Sequence, residues 1–65
     1  MNLKVNGEEI LFTEESLADL INHLKINDEM IAIELNGEII YEEKYDESLL
    51  HDGDRIEIVS FVGGG

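Results

Sequence analysis

Two Asn-Gly pairs, Asn6-Gly7 and Asn36-Gly37, each stand between short runs in which apolar and polar residues alternate. Such a pair between alternating runs is the strongest short-range signal for a two-residue β-hairpin turn, because both turn residues adopt positive φ. The first pair is predicted to join an N-terminal strand to a return strand over 9–13. The second is predicted to join a strand over 30–36 to a short strand over 38–41. Four strands are therefore expected from these two turns alone.

Between the hairpins the spacing of apolar residues changes from two to the period of a helix. The residues at helical spacing are Leu17, Leu20, Ile21 and Leu24. They predict a helix from Leu17 to Lys25 with one apolar stripe. Ser16 is the predicted N-cap, since its hydroxyl can accept a hydrogen bond from the Asp19 N–H while the Asp19 carboxylate reaches back.

The chain after the second hairpin is predicted to be irregular, with Tyr45, Leu49 and Leu50 as anchors to the edge of the core. The run Asp52-Gly53-Asp54 then predicts a tight turn before a last strand over 55–62. One helix can cover only one face of such a sheet. The expected fold class is α+β, with a mixed sheet of four to five strands and one helix packed on one face.

The length of 65 residues and the absence of cysteine limit the chain to one small domain stabilised by packing. Residues 1–62 are predicted to form this domain, and 63–65 a flexible Gly-Gly-Gly tail. No apolar run approaches the roughly 20 residues that span a bilayer, and the N-terminus lacks signal-peptide features. A cytoplasmic location is expected.

The charge balance is strongly acidic, with 16 Asp and Glu against 4 Lys and Arg and a formal net charge of −12. A surface without a basic patch cannot release counterions from phosphates, and anionic lipid would repel it. We therefore expect neither nucleic acid nor a membrane as a partner. The negative electrostatic field of the chain favours a partner with a basic surface. The alternative is that the acidity only maintains solubility.

The face of the sheet away from the helix is predicted to carry an apolar set formed by Met30, Ala32, Val59 and Phe61. A single exposed apolar side chain needs no explanation, whereas four on one face indicate a partner-docking surface.

Side chains suited to catalysis or metal binding do not form a recognisable motif. His23 and His51 are expected to be solvated, and the acidic residues after Tyr41 lack the spacing of a calcium loop. The role of Ser16 as a cap accounts for its hydroxyl. We therefore expect neither a metal site nor an enzyme.

The order of these motifs resembles a known family. The features are the Asn-Gly hairpin, the helix opening at Ser16-Leu17, the segments IAIELNGEII and LLHDGDRIEIV, and the terminus FVGGG. Together they resemble the ThiS family of sulfur carrier proteins of thiamin thiazole biosynthesis over the whole chain. The resemblance implies a ubiquitin-like β-grasp fold. The family commonly has a proline where this chain has Tyr41 and a tryptophan where it has Tyr45.

The glycine tail suits delivery of a carboxylate into another protein, because residues 62–65 can extend about 13 Å without bulky side chains at Gly63 and Gly64. Because an α-carboxyl has a pKa of about 3.3–3.7, the α-carboxyl of Gly65 is ionised at neutral pH. The resemblance implies that a ThiF-like enzyme adenylates this carboxylate with Mg·ATP. It further implies that a persulfide enzyme converts it to a thiocarboxylate for a ThiG-like thiazole synthase. No resident cofactor is implied.

Two alternatives remain at this point. The small subunit of molybdopterin synthase shares the fold and the Gly-Gly terminus, but its chains are usually longer. A non-covalent ubiquitin-like interaction module would bind partners without activation of the tail. Only a carrier would exchange oxygen for sulfur when supplied with ATP, an adenylating enzyme and a sulfur source.

Overall fold

A computed structural model describes residues 1–26 and 31–60 of the chain. In chain order its elements are β1 (Asn2–Val5), β2 (Glu8–Leu11), α1 (Leu17–Leu24), β3 (Ile31–Leu35), β4 (Glu38–Ile40), a short 3₁₀ helix (Glu42–Lys44) and β5 (Arg55–Ser60). The five strands form one sheet in the order β2-β1-β5-β3-β4. The parallel pair is β1 and β5, and the other neighbours are antiparallel. The predicted mixed sheet with one helix is therefore confirmed.

Both Asn-Gly pairs form the predicted turns. Asn6 and Gly7 have φ of 50° and 86°, and Asn36 and Gly37 have φ of 53° and 89°. Positive φ at both central residues is the geometry whose twist matches that of the flanking strands. The return strand is shorter than predicted and ends at Leu11, while Phe12 continues inward and is buried.

The helix begins at the predicted cap. Ser16 Oγ accepts a hydrogen bond from the Asp19 N–H at 3.1 Å, and Asp19 Oδ2 accepts one from the Ser16 N–H at 3.1 Å. Asp19 Oδ2 also accepts from the Glu15 N–H at 3.3 Å. These backbone hydrogen bonds, first from Ser16 and then from Glu15, lower the pKa of the Asp19 carboxyl. The reciprocal pair satisfies N–H groups that a helix otherwise leaves without partners.

The Asp19 cap makes stability depend on pH in the acidic range. Because the folded-state pKa lies below the unfolded value of about 3.9, the stabilisation is complete above that value and is lost as the pH falls through the folded pKa. Asp19→Asn should therefore lower the urea midpoint at pH 7, and the difference from the wild type should shrink below about pH 3.9. A difference that stays constant over this range would show that the carboxylate charge contributes nothing.

The core lies between α1 and one face of the sheet. Its buried members include Leu3, Val5, Phe12, Leu17, Leu20, Ile21, Ile31, Ile33 and Ile56. Leu24 and Ile58 are partly buried against it. The helix stripe thus packs on the sheet residues that the alternating pattern predicts to face inward.

The segment after β4 differs from the prediction at one anchor. Tyr45 and Leu50 are buried as expected, but the side chain of Leu49 is 56% exposed. Leu49 forms an isolated antiparallel bridge with Ser16, and the Leu50 N–H donates to the Glu15 carbonyl. Consecutive residues in an extended segment point to opposite sides, so Leu50 faces the core and Leu49 faces solvent. The prediction that Leu49 is an anchor was wrong.

Candidate functional site

The predicted reactive tail, Gly63, Gly64 and Gly65, lies outside the residues that the structure describes. The structure describes the strand that precedes it. β5 is the middle strand of the sheet, paired with β1 on one side and β3 on the other. Ile56 of β5 is fully buried, and Ser60 at its end pairs with Ile31. The tail therefore follows the central strand of the sheet.

The asparagines of the two turns hold β5 through their side chains. The backbone register between β1 and β5 ends at Val5 and Ile56, and Asn6 continues the contact. Its Oδ1 accepts a hydrogen bond from the Ile58 N–H at 2.7 Å. At the other end of the strand, Asn36 Oδ1 accepts from the Arg55 N–H at 2.9 Å. Sequence reasoning missed this second role, because it depends on which strand lies beside each turn.

Loss of the Asn6 side chain should loosen the half of β5 that leads to the tail. Asn6→Gly keeps the positive φ but removes the acceptor for the Ile58 N–H, so we expect a loss of about 0.5–1.5 kcal/mol in the free energy of unfolding. Asn6→Asp is the matched control, since it retains an acceptor oxygen. Urea denaturation of both variants measures the difference. Equal losses in the two would mean that the hydrogen bond contributes nothing.

Two members of the predicted docking surface meet on the outward face of the sheet. Ala32 and Val59 are directly opposite each other in the β3–β5 register. Val59 is 57% exposed, and Ala32 is half-buried. Met30 and Phe61, the other two members, lie outside the described residues. Their joint role as a docking surface stays a prediction.

Acidic side chains lie next to this apolar pair. Glu34 and Glu57 are opposite each other one step along the same face, and Ile39 of β4, 55% exposed, is opposite Glu34. Like charges directly opposite on a sheet are destabilising. A basic group on a docked protein would relieve that repulsion.

The two histidines have structural neighbours. The exposed His23 packs edge-on against the Phe12 ring, with centroids 5.8 Å apart. His51 Nδ1 lies 4.0 Å from Asp54 Oδ2 in the turn before β5. Within residues 1–26 and 31–60, no three His, Cys, Asp or Glu side chains are placed to hold a metal ion. No helix in those ranges is long and apolar enough to cross a membrane.

Comparison with known families decides the identity. The model of the ThiS family matches residues 3–65. The chain belongs to the ThiS family. It is 38% identical over 65 residues to the sulfur carrier protein ThiS of Bacillus subtilis, a match that covers 97% of this chain and 98% of that one. The resemblance drawn from the sequence motifs is confirmed.

Structural comparison gives the same result. The crystal structure of the thiamine biosynthesis protein ThiS from Geobacter metallireducens superposes with a TM-score of 0.85 at 38% identity, covering 100% of both chains. The chain therefore has the ThiS β-grasp fold, and its membership of the ThiS family makes it a sulfur carrier of thiamin biosynthesis.

A further relative is much longer than this ThiS-family chain. The thiazole synthase of Paramagnetospirillum magneticum is 38% identical over 66 residues, which cover 100% of this chain but 20% of that protein. The similar stretch there forms part of a protein named for the synthase.

Proposed function

We propose that this chain carries sulfur as a thiocarboxylate on the α-carboxyl of Gly65, and that it acts as a substrate of other enzymes and not as a catalyst. The observation that carries the proposal is the family match, which extends through Gly65. The anchoring of β5 in the middle of the sheet supports it, because a fixed strand limits the positions that the following residues can reach. Residues 1–62 form the folded unit in this proposal, and 63–65 the flexible tail that other proteins receive.

The chemistry has three steps. An oxygen of the Gly65 carboxylate attacks the α-phosphorus of Mg·ATP bound to the partner, and the bond from that phosphorus to the pyrophosphate leaving group breaks. The terminal sulfur of a persulfide then attacks the acyl carbon and displaces AMP. A thiol cleaves the resulting acyl disulfide and releases the thiocarboxylate. A glycyl carbonyl suits these steps, since it has no side chain to hinder attack.

The chemistry requires three kinds of partner: a ThiF-like adenylating enzyme, an enzyme that bears a persulfide, and a ThiG-like thiazole synthase that accepts the sulfur. The third is supported by the thiazole synthase that contains a similar stretch. The need for Mg·ATP agrees with a cytoplasmic location.

Pyrophosphate release tests the proposal against a non-covalent interaction module. Mixing the chain with a ThiF-like enzyme and ATP should release pyrophosphate in an amount that follows the amount of chain. Binding to the enzyme without any pyrophosphate release would contradict activation of the tail.

Docking through the outward face is the second part of the proposal, with Met30, Ala32, Val59 and Phe61 as its surface. Aromatic anchors dominate interface energies, so Phe61→Ala should weaken binding to the adenylating enzyme by about 2 kcal/mol or more. Leu49→Ala is the matched control, since Leu49 is 56% exposed and lies in the segment after β4, outside the sheet. Calorimetric titration measures the affinity of each variant for the adenylating enzyme. Equal affinities would show that this surface does not dock the enzyme.

A further inference from the structure

Two of the 4 basic residues of this acidic chain lie side by side on the outward face of the sheet. Lys4 of β1 and Arg55 of β5 are partners in the parallel register. They line an open depression of about 250 Å³, together with Asn2, Leu3, Glu9 and Gly53. We call this depression the cationic notch.

Neither charge in the cationic notch has an ionic partner within the described residues. The ion pairs found there join Lys44 to Glu47 at 3.7 Å and His51 to Asp54 at 4.0 Å. Glu9 is opposite Lys4 in the β1–β2 register, yet no carboxylate oxygen in those ranges comes within 4.0 Å of the Lys4 or Arg55 nitrogens. Like charges at directly opposite positions repel and destabilise a sheet. No ion pair within these ranges therefore offsets the repulsion between the two cations.

The charged and apolar residues of the outward face follow one another in order along β5. Arg55 begins β5, the acidic pair Glu34 and Glu57 lies further along, and Val59 is next to the end of the strand that leads to the tail. Alternate residues of a strand face the same way, so Arg55, Glu57 and Val59 share this face. A docked protein thus meets a cationic region, an acidic region and an apolar region in sequence.

We propose that the cationic notch receives an aspartate or glutamate side chain of the enzyme that adenylates the tail. The inference rests on the proposed function, since it names a contact made in that complex. A net charge of −12 repels free anions from the whole surface, so a small anion gains little from two cations in an open depression. A carboxylate on a docking protein is different, because contacts elsewhere on the face hold it there. Charge complementarity then selects an acidic side chain opposite Lys4 and Arg55.

A comparison of two double variants with the same change in charge tests the notch. Lys4→Gln with Arg55→Gln removes both notch cations, whereas Lys25→Gln with Lys44→Gln removes the two cations outside it. If only the overall negative charge guides the chain to a basic partner, both variants should bind as well as the wild type or better. The notch predicts that only the first variant binds more weakly, by about tenfold or more, with a weaker dependence of affinity on salt.

Affinity for the ThiF-like enzyme is measured without ATP, so that the result does not depend on the chemistry of the tail. Circular dichroism should show both variants folded, because the four side chains are exposed. Similar affinities for the two double variants would overturn the notch and leave the proposed function intact. Millimolar inorganic phosphate could instead compete with the enzyme and change the NMR chemical shifts of the Lys4 and Arg55 amides. That result would overturn the notch in favour of a small-anion site. Failure of the wild type to bind would overturn the proposed function and the notch together.

Discussion

Removal of Gly65 is expected to reduce adenylation by orders of magnitude while leaving the fold unchanged. The shortened chain still ends in a glycine carboxylate, at Gly64, but that group lies about 3.3 Å further back along the chain. Attack on phosphorus requires close alignment of the reacting atoms, and a displacement of this size removes it. The rate of pyrophosphate release, measured at saturating ATP, gives the effect.

Two further variants separate reach from shape. Gly64→Ala keeps the length and adds one methyl group, so it tests for a narrow slot in the partner. An extra residue after Gly65 keeps the preceding chain but moves the carboxylate forward. If the chain lacking Gly65 were activated as fast as the full-length chain, the tail would be a spacer and not the reactive end.

Replacement of Ile33 by alanine is expected to remove most of the stability of the domain. Ile33 is fully buried in β3 and belongs to the core cluster. Truncation of such a side chain costs about 2–5 kcal/mol, and a core in a domain this small rarely supplies more than about 3–5 kcal/mol. Urea denaturation followed by circular dichroism measures the shift in midpoint.

Ile39→Ala is the matched control for the core. It removes the same atoms from the neighbouring strand β4, but the Ile39 side chain is 55% exposed and faces away from the helix. Its effect should stay within about 0.5 kcal/mol, as for other surface substitutions. Equal losses for the two isoleucines would show that the inward and outward faces of the sheet are assigned wrongly.

The elements of this fold could be predicted because their signals are local. Each Asn-Gly pair specifies its own hairpin, and Ser16 with Asp19 specifies the start of the helix. The strand order could not be derived in this way. The parallel pairing of β1 with β5 joins segments about fifty residues apart, and no local pattern encodes which strands meet. The family resemblance, and not a local pattern, predicts the β-grasp fold.

Some features of the candidate site could also be predicted from local patterns, and others could not. The glycine tail and the outward position of Val59 could be predicted from composition and alternation. The hydrogen bond from the Ile58 N–H to Asn6 and the pairing of Lys4 with Arg55 could not, because each joins residues that only the sheet brings together. Leu49 shows the converse: its apolar side chain predicts burial beside Leu50, but the structure exposes it.

The intact mass of the chain after reaction shows whether Gly65 accepts sulfur. The chain is incubated with ATP, a ThiF-like enzyme, a persulfide donor and a free thiol, and is then compared with a sample that lacks ATP. We expect a gain equal to the exchange of one oxygen for one sulfur, located at Gly65 by fragmentation and absent from the chain that lacks this residue. An unchanged mass under conditions in which the Bacillus subtilis ThiS gains sulfur would contradict the transfer of sulfur to Gly65.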